Sequence, residues 1–153
     1  MIDIRPFSPP DLERTRDLFR EYERDIGVSL CFQGFERELE RLPGDYAPPA
    51  GRLLLASDGD DLVGCVALRP LPNCAGELKR MYVRPTHRGR GVARRLAERL
   101  LEESTLAGYR IVRLDTLDRM LAARALYRSL GFVEIPAYNE HSVAGTVWME
   151  RRL

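Results

Sequence analysis

The stretch of this sequence with the clearest chemical capacity is Arg88-Gly89-Arg90-Gly91-Val92-Ala93. It stands between a strand-like segment and a long helix-like one. Its two glycines let the backbone approach a ligand with no side chain in the way. The start of the helix offers unpaired N–H groups and the positive end of the dipole. Arg88 and Arg90 add permanent positive charge. Together these favour a phosphate or pyrophosphate; an arginine-rich turn with glycines for geometry alone is the competing reading. Two common phosphate loops are excluded. There is no Gly-Lys-Ser/Thr, so it is not a Walker A loop. A dinucleotide-binding Gly-x-Gly-x-x-Gly counted from Gly89 needs a small residue where Arg94 stands, and it belongs after a first strand rather than a late one.

The elements around that loop follow from periodicity and punctuation. Ile2-Asp3-Ile4-Arg5-Pro6-Phe7 alternates and predicts a strand. Ser8-Pro9-Pro10-Asp11 opens a helix that should end near Gly27. A short helix follows from about Phe35 to Leu42, stopped by Pro43-Gly44. Arg52 to Ser57 and Leu62 to Leu68 predict a hairpin about Asp58-Gly59-Asp60-Asp61. Pro70 to Gly76 reads as a connection, and Glu77 to Val83 as the strand leading to the loop. In the long helix Val92, Leu96 and Leu100 recur every four residues, and Gly108 closes it. Arg110 to Asp115 is a strand, Arg119 to Leu130 a helix with Asp118 as its N-cap, and two strands finish the chain near Phe132 to Ile135 and Thr146 to Glu150. The order predicts an α/β chain with a mixed sheet, antiparallel in its first half, with a crossover helix between the middle strands.

Length and charge bound the function. The 153 residues fit a single domain spanning 1–153, able to bury roughly two-thirds of its extended surface without staples. With 24 basic and 23 acidic residues the net charge is +1, which argues against binding nucleic acid by bulk charge. Glu98, Glu102 and Glu103 dilute the Arg84 to Arg99 cluster further. No apolar run nears the length of a membrane helix, and no signal peptide is visible at the start. Cys31, Cys65 and Cys74 follow no metal or redox spacing, so reduced thiols, no metal site and a cytoplasmic location are expected. Lys79 is the only lysine; the other basic residues are arginines.

The pattern Arg/Gln-x-x-Gly-x-Gly/Ala, present as Arg88 to Ala93, resembles the acetyl-CoA loop of the GNAT N-acetyltransferase superfamily. The frame from Glu77-Leu-Lys-Arg-Met-Tyr-Val through Ala93 matches as well, and so does Ala123-Arg-Ala-Leu-Tyr127-Arg-Ser-Leu-Gly-Phe132. The similarity covers nearly the whole chain and is to small, bacterial-type, single-domain members. It implies a mostly antiparallel sheet of about seven strands with about four helices, splayed between the fourth and fifth strands. It also implies acetyl-CoA or coenzyme A as co-substrate and no metal. The expected activity is acetyl transfer to a primary amine of a small molecule, amino acid, peptide or protein N-terminus. No nucleic acid or membrane partner is implied, and a homodimer is left open. A catalytically silent CoA-binding sensor of the same fold is the alternative.

By position, the resemblance implies that backbone groups of Met81, Tyr82 and Val83 meet the pantetheine arm and that the amides of Arg88, Gly89, Arg90, Gly91, Val92 and Ala93 hold the pyrophosphate. It implies Tyr127 as the acid beside the leaving thiolate, since a phenol with a reference pKa of about 10 keeps its proton at neutral pH. Met120, Ala123, Tyr127 and Leu130 also share one helical face, so core packing competes for that tyrosine. Glu77 is the implied base, working best through water because a carboxylate is far less basic than an amine; a structural pair with Arg52 or Arg80 is the alternative. Met120 stands where many relatives have asparagine, so Thr116, Asp115 or Asp118 is expected to supply that polar contact. Phe32, Phe35 and Tyr138 are expected to line an apolar acceptor wall, Asp25 and Glu140 to attract a cationic amine, and His141 to face solvent.

Overall fold

The computed structural model describes residues 1–30, 34–140 and 143–153; Cys31, Phe32 and His141 lie outside them. Strand β1, Ile2–Pro6, gives way to a short 3-10 turn at Pro9–Asp11 and then to α1, Leu12–Ile26. The turn is fastened by Asp11, whose carboxylate accepts from the Ser8 backbone N–H at 2.9 Å and from both ends of the Arg5 guanidinium at 2.7 and 2.9 Å. Helix α1 turns Leu18, Phe19 and Ile26 inward and stops at Gly27, whose φ of +69° suits a residue without Cβ. Helix α2, Phe35–Arg41, ends ahead of Pro43.

Strands β2 (Arg52–Asp58), β3 (Asp61–Leu71) and β4 (Ala75–Val83) form an antiparallel meander. The expected connection over residues 70–76 is a tight turn instead. Pro70 pairs with Gly76 and Leu71 with Ala75, because Asn73 and Cys74 both take positive φ and close the hairpin early. Pro70 suggested a break that the ladder tolerates near its end. Helix α3, Val92–Leu106, crosses over to β5, Ile111–Leu117. Then come α4, Leu121–Ser129, β6, Val133–Ile135, and β7, Thr146–Arg152. Asp118 does not cap α4. Met120 holds that position, and the Asp118 carboxylate lies against Gly145, where an added Cβ would sit 2.7 Å from its Oδ1.

The sheet order is β1-β2-β3-β4-β5-β7-β6, with every neighbouring pair antiparallel except β4 with β5. Two cores result. One packs Leu96 and Leu100 of α3 against Leu54, Val66, Leu68 and Leu114 of the sheet. The other packs Leu18 and Phe19 of α1 and Leu39 of α2 against Leu55, Cys65 and Ala67. Each fully buried leucine contributes about 1.5–3 kcal/mol relative to exposure. One irregularity sits in the middle of β4. The register steps from Lys79↔Ala67 to Tyr82↔Cys65, so β4 carries one residue more than β3 there. Arg80 takes φ +59° in this bulge, a left-handed conformation that costs a non-glycine residue about 1–3 kcal/mol.

Candidate active site

The two central strands separate where the bulge begins. β4 and β5 are bonded only over residues 75–77 and 111–113. Beyond that point β4 stays with β3 and β5 stays with β7, so residues 79–83 and 115–117 form no ladder with each other. The opening is lined by Glu77, Lys79 and Met81 from β4 and by Asp115 and Thr116 from β5; Tyr127 of α4 faces it too. Backbone donors and acceptors on this edge of β4 are therefore released from sheet pairing in a half-enclosed place. That is a chemical resource rather than a defect.

At the end of β4 the chain makes a 3-10 turn, Pro85–His87, and enters the arginine–glycine loop. Gly89 and Gly91 have φ of +78° and +76°. No atom lies within 4 Å of the Cβ that either would carry, so the backbone conformation demands glycine there, not lack of room. Gly91 is the N-cap of α3. No side chain caps that helix and no acidic residue stands in its first turn, so the N–H groups that open α3 face outward unclaimed by side chains. From them a groove runs past Val83 and Ala93 to Ala123 and Leu126 of α4. The two arginines divide their work. Arg90 is exposed, whereas Arg88 braces the loop: its Nε donates to the Val83 carbonyl at 2.9 Å, and its guanidinium pairs with Asp25 at 3.2 Å and covers the Tyr82 ring.

Tyr127 is buried, its ring edge-on to Phe132 with centroids 5.7 Å apart. Among the described residues its hydroxyl makes no hydrogen bond, and the residue lines the opening. Burial, followed by the nearby Tyr22 and Asp115, pushes its pKa above the ordinary value, so the phenol is protonated at neutral pH. The core and the cleft both claim this residue.

Glu77 is 1 % exposed. Its Oε1 accepts from Arg69 Nε at 2.7 Å, its Oε2 accepts from the Tyr138 hydroxyl at 2.6 Å, and Lys79 Nζ stands 3.8 Å away. Burial pushes its pKa up, but the Lys79 charge, the Tyr138 hydrogen bond and the Arg69 charge together outweigh burial and hold it below the ordinary value. The structural partners expected from sequence are otherwise engaged: Arg52 pairs with Glu103 at 2.8 Å, and Arg80 grips Glu38 at 2.8 and 2.9 Å. Arg69 takes their place because it lies directly across the ladder from Glu77.

An open-edged strand with a tyrosine beside its gap leads along the chain into an uncapped, glycine-flanked helix start. The model of the acetyltransferase (GNAT) family matches residues 12–132. The chain belongs to the GNAT acetyltransferase family. An uncharacterized N-acetyltransferase of Schizosaccharomyces pombe is 38% identical over 144 residues, covering 92% of this chain and 88% of its own length. Among solved structures, a GNAT acetyltransferase of Staphylococcus aureus superposes with a TM-score of 0.83 at 19% identity over 99% of each chain. The PaiA N-acetyltransferase of Thermoplasma acidophilum, solved in complex with coenzyme A, gives 0.78 at 21% identity over 100% of this chain and 99% of its own. The GNAT fold is thereby shown, including the parallel β4–β5 pair and the split beyond it.

Within this GNAT frame the residues chosen from sequence do not all gather at the opening. Met81, Thr116, Glu77 and Tyr127 line it, and the Thr116 hydroxyl points at Met120 Sδ, 3.9 Å away. Tyr82 is buried and shares Glu21 with Arg84. Phe35 does not form an acceptor wall; it is 1 % exposed in the second core, under the Arg80 guanidinium at 5.1 Å. Asp25 is engaged by Arg88, and Glu140 is exposed. Tyr138 is turned to Glu77 rather than presenting an apolar face. Lys79, Arg69 and Tyr22 went unremarked as site residues. The single lysine in an arginine-rich chain was the available signal for the first; Arg69 is visible only through strand register. Among the described residues no cluster suited to a metal exists, and no helix is long and apolar enough to cross a membrane.

Proposed function

We propose that the protein transfers the acetyl group of acetyl-CoA to a primary amine by direct attack within a ternary complex. The observation that carries this reading is the opening itself: unpaired β4 backbone lined by Tyr127, with β4 running on into the uncapped start of α3. The donors at Gly89–Ala93 suit a diphosphate, and the released edge at residues 79–83 suits the amides of a pantetheine arm. In the reaction the amine nitrogen forms a C–N bond with the thioester carbon and the C–S bond breaks. The nitrogen loses a proton to solvent and the sulfur leaves as thiolate.

Tyr127 serves the leaving sulfur. Its raised pKa makes complete proton transfer to a thiolate of pKa about 8.5 unfavourable, so its part is a hydrogen bond that strengthens as charge develops. Glu77, held charged by three partners, is a poor direct base. Its contribution is to relay a proton from the incoming ammonium through water. The same engagement of Glu77 favours a second reading, a domain that holds acyl-CoA without turning it over. With this reading we expect a cytoplasmic reaction in one domain over residues 1–153, with a homodimer left open.

The test is thermal stability with acetyl-CoA, with ATP and NAD as controls, followed by coenzyme A release across an amine panel. Ligand at about a hundred times its dissociation constant should stabilise by about 2.7 kcal/mol, several degrees for a chain of this size. A shift with turnover supports the transferase, a shift without turnover supports the binding module, and no shift at millimolar ligand removes both.

A further inference from the structure

Beside α2 lies a second cavity, of about 220 Å³, that the chemistry above does not use. Its charged lining is Arg37, Glu38 and Arg41 of α2, Asp45 of the 3-10 turn Gly44–Tyr46, and Arg69 of β3, with the buried Tyr46 among them. Two of these charges are settled by partners outside the cavity. Arg80 takes both Glu38 oxygens, and Arg69 Nε donates to Glu77 at 2.7 Å. Arg37 and Arg41 differ: among the described residues neither makes a hydrogen bond or an ion pair. Glu36 of the same helix pairs with Arg20 instead. Asp45 is unpaired in the same sense, so the unpartnered charges are two guanidiniums against one carboxylate, an excess of one positive charge. Arg37 and Arg41 stand four residues apart, a spacing at which like charges destabilise a helix. The helix dipole gives Arg41 a structural reason to stand in the last turn; it gives none to Arg37. The cavity adjoins the acceptor end of the opening. Arg69 and Glu38 line the cavity, and the residues they grip, Glu77 and Arg80, line the opening, so two ion pairs form the wall between them. The cavity shares no residue with the groove that leaves the arginine–glycine loop.

Resting on the transferase reading, we propose that the acceptor is a peptide N-terminus with an acidic side chain at its second or third residue, held through its carboxylate by Arg37 and Arg41. One carboxylate matches the excess of one positive charge, and a guanidinium offers it paired donors. A free α-amino acid is too short for this arrangement. Its amine and carboxylate are one carbon apart, whereas the wall between opening and cavity is two bonded side chains thick. A peptide advances about 3.3–3.6 Å per residue, which carries a side chain at the second or third position past that wall. Both arginines are exposed, so salt screens the contact. In the reaction the terminal nitrogen forms its C–N bond as C–S breaks, its proton passes to water, and the products are an N-acetyl peptide and coenzyme A.

The experiment compares amide-capped peptides that differ only in charge: Ala-Glu-Ala with Ala-Gln-Ala, and Ala-Ala-Glu with Ala-Ala-Gln. Free glutamate and spermidine are included as small acceptors. Coenzyme A release is measured for the wild type, the double variant Arg37→Gln with Arg41→Gln, and Asp45→Asn. All three positions are exposed, and melting temperatures confirm folding. The expected result is a kcat/KM ratio, glutamate peptide over glutamine peptide, of about tenfold in the wild type for at least one pair, the scale of one charge-assisted hydrogen bond. That ratio should fall toward one in the double variant, through KM, and should shrink at about 1 M salt, where the screening length is about 3 Å. Asp45→Asn removes the unpartnered carboxylate and should raise the ratio. Equal turnover of the paired peptides by the wild type overturns the assignment, and so does a ratio that survives in the folded double variant or falls in Asp45→Asn. Free glutamate or spermidine turned over in preference to every peptide overturns it as well. All of these leave the transferase intact. No turnover of any acceptor, by protein that acetyl-CoA still stabilises, overturns the transferase reading and the acceptor assignment together.

Discussion

The two ends of the opening are built by different means. At the loop end the working parts are backbone: two left-handed glycines and the uncapped first turn of α3. At the acceptor end they are side chains: Glu77 locked by Arg69, Tyr138 and Lys79, with Asp115 opposite. Backbone donors need no partner to be poised, because helix geometry aims them. Buried charges need partners from several strands, since an unpaired one would cost several kcal/mol. The first end is therefore local in sequence and tolerant of its neighbours; the second is assembled from β3, β4, β5 and the segment before β7, and depends on all of them.

The most severe way to break this contrast is Gly91→Glu. It forces a side chain into φ +76° and places a carboxylate at a helix start meant for an anion, so acetyl-CoA affinity should fall by about a thousandfold. Calorimetry on the folded variant checks this, and unchanged affinity would remove the loop from the binding site. Next is Tyr127→Phe. Because the hydroxyl has no hydrogen-bond partner among the described residues, stability should barely move, while kcat should fall by about a hundredfold. Steady-state rates with melting curves separate the two, and a wild-type rate would return Tyr127 to the core alone.

Glu77→Gln sharpens the acceptor side. A carboxyl held below its ordinary value stabilises the fold fully above that value, 4.5, and loses that contribution as the pH falls through its folded pKa. The wild-type melting temperature should therefore decline more steeply than the variant's below about pH 5. Parallel curves for the two proteins would show that the ion pairs around Glu77 do not favour its charged form. The smallest effect is expected from Asp25→Asn. Its pair with Arg88 is half exposed on both sides, so stability should change by less than about 1 kcal/mol. A larger loss would mean that α1 and the loop hold each other more firmly than an exposed pair allows.

This division also explains what could be read from the residues alone. The loop, the α3 stripe of Val92, Leu96 and Leu100, and the fold class follow from spacing along the chain. Tyr127 came with the motif that contains it. The Glu77–Arg69 pair did not, because its partners are eight residues apart across a hairpin whose connection the sequence spreads over residues 70–76. Phe35 was set at an acceptor wall on the strength of its type, but its helical register turns it under Arg80. Asp118 had the residue type of a cap, yet Gly145 claims the space around its carboxylate. In each case the deciding contact is with a residue distant in sequence, which periodicity does not encode.

The extra residue in β4 changes the phase of everything after it. Before the bulge the odd positions Glu77 and Lys79 share a face with Arg69 and Ala67; after it the even position Tyr82 lies on that same face, opposite Cys65. A β4 of uniform alternation would send Tyr82 toward α3 and turn Val83 toward α1. The single left-handed residue thus acts as a parity switch, allowing one strand to point charge at the opening along its first half and an aromatic at the Arg88 brace along its second. Removing one residue at position 80 would not merely straighten the strand. It would exchange the two faces downstream and deliver the loop out of step with the tyrosine it must meet.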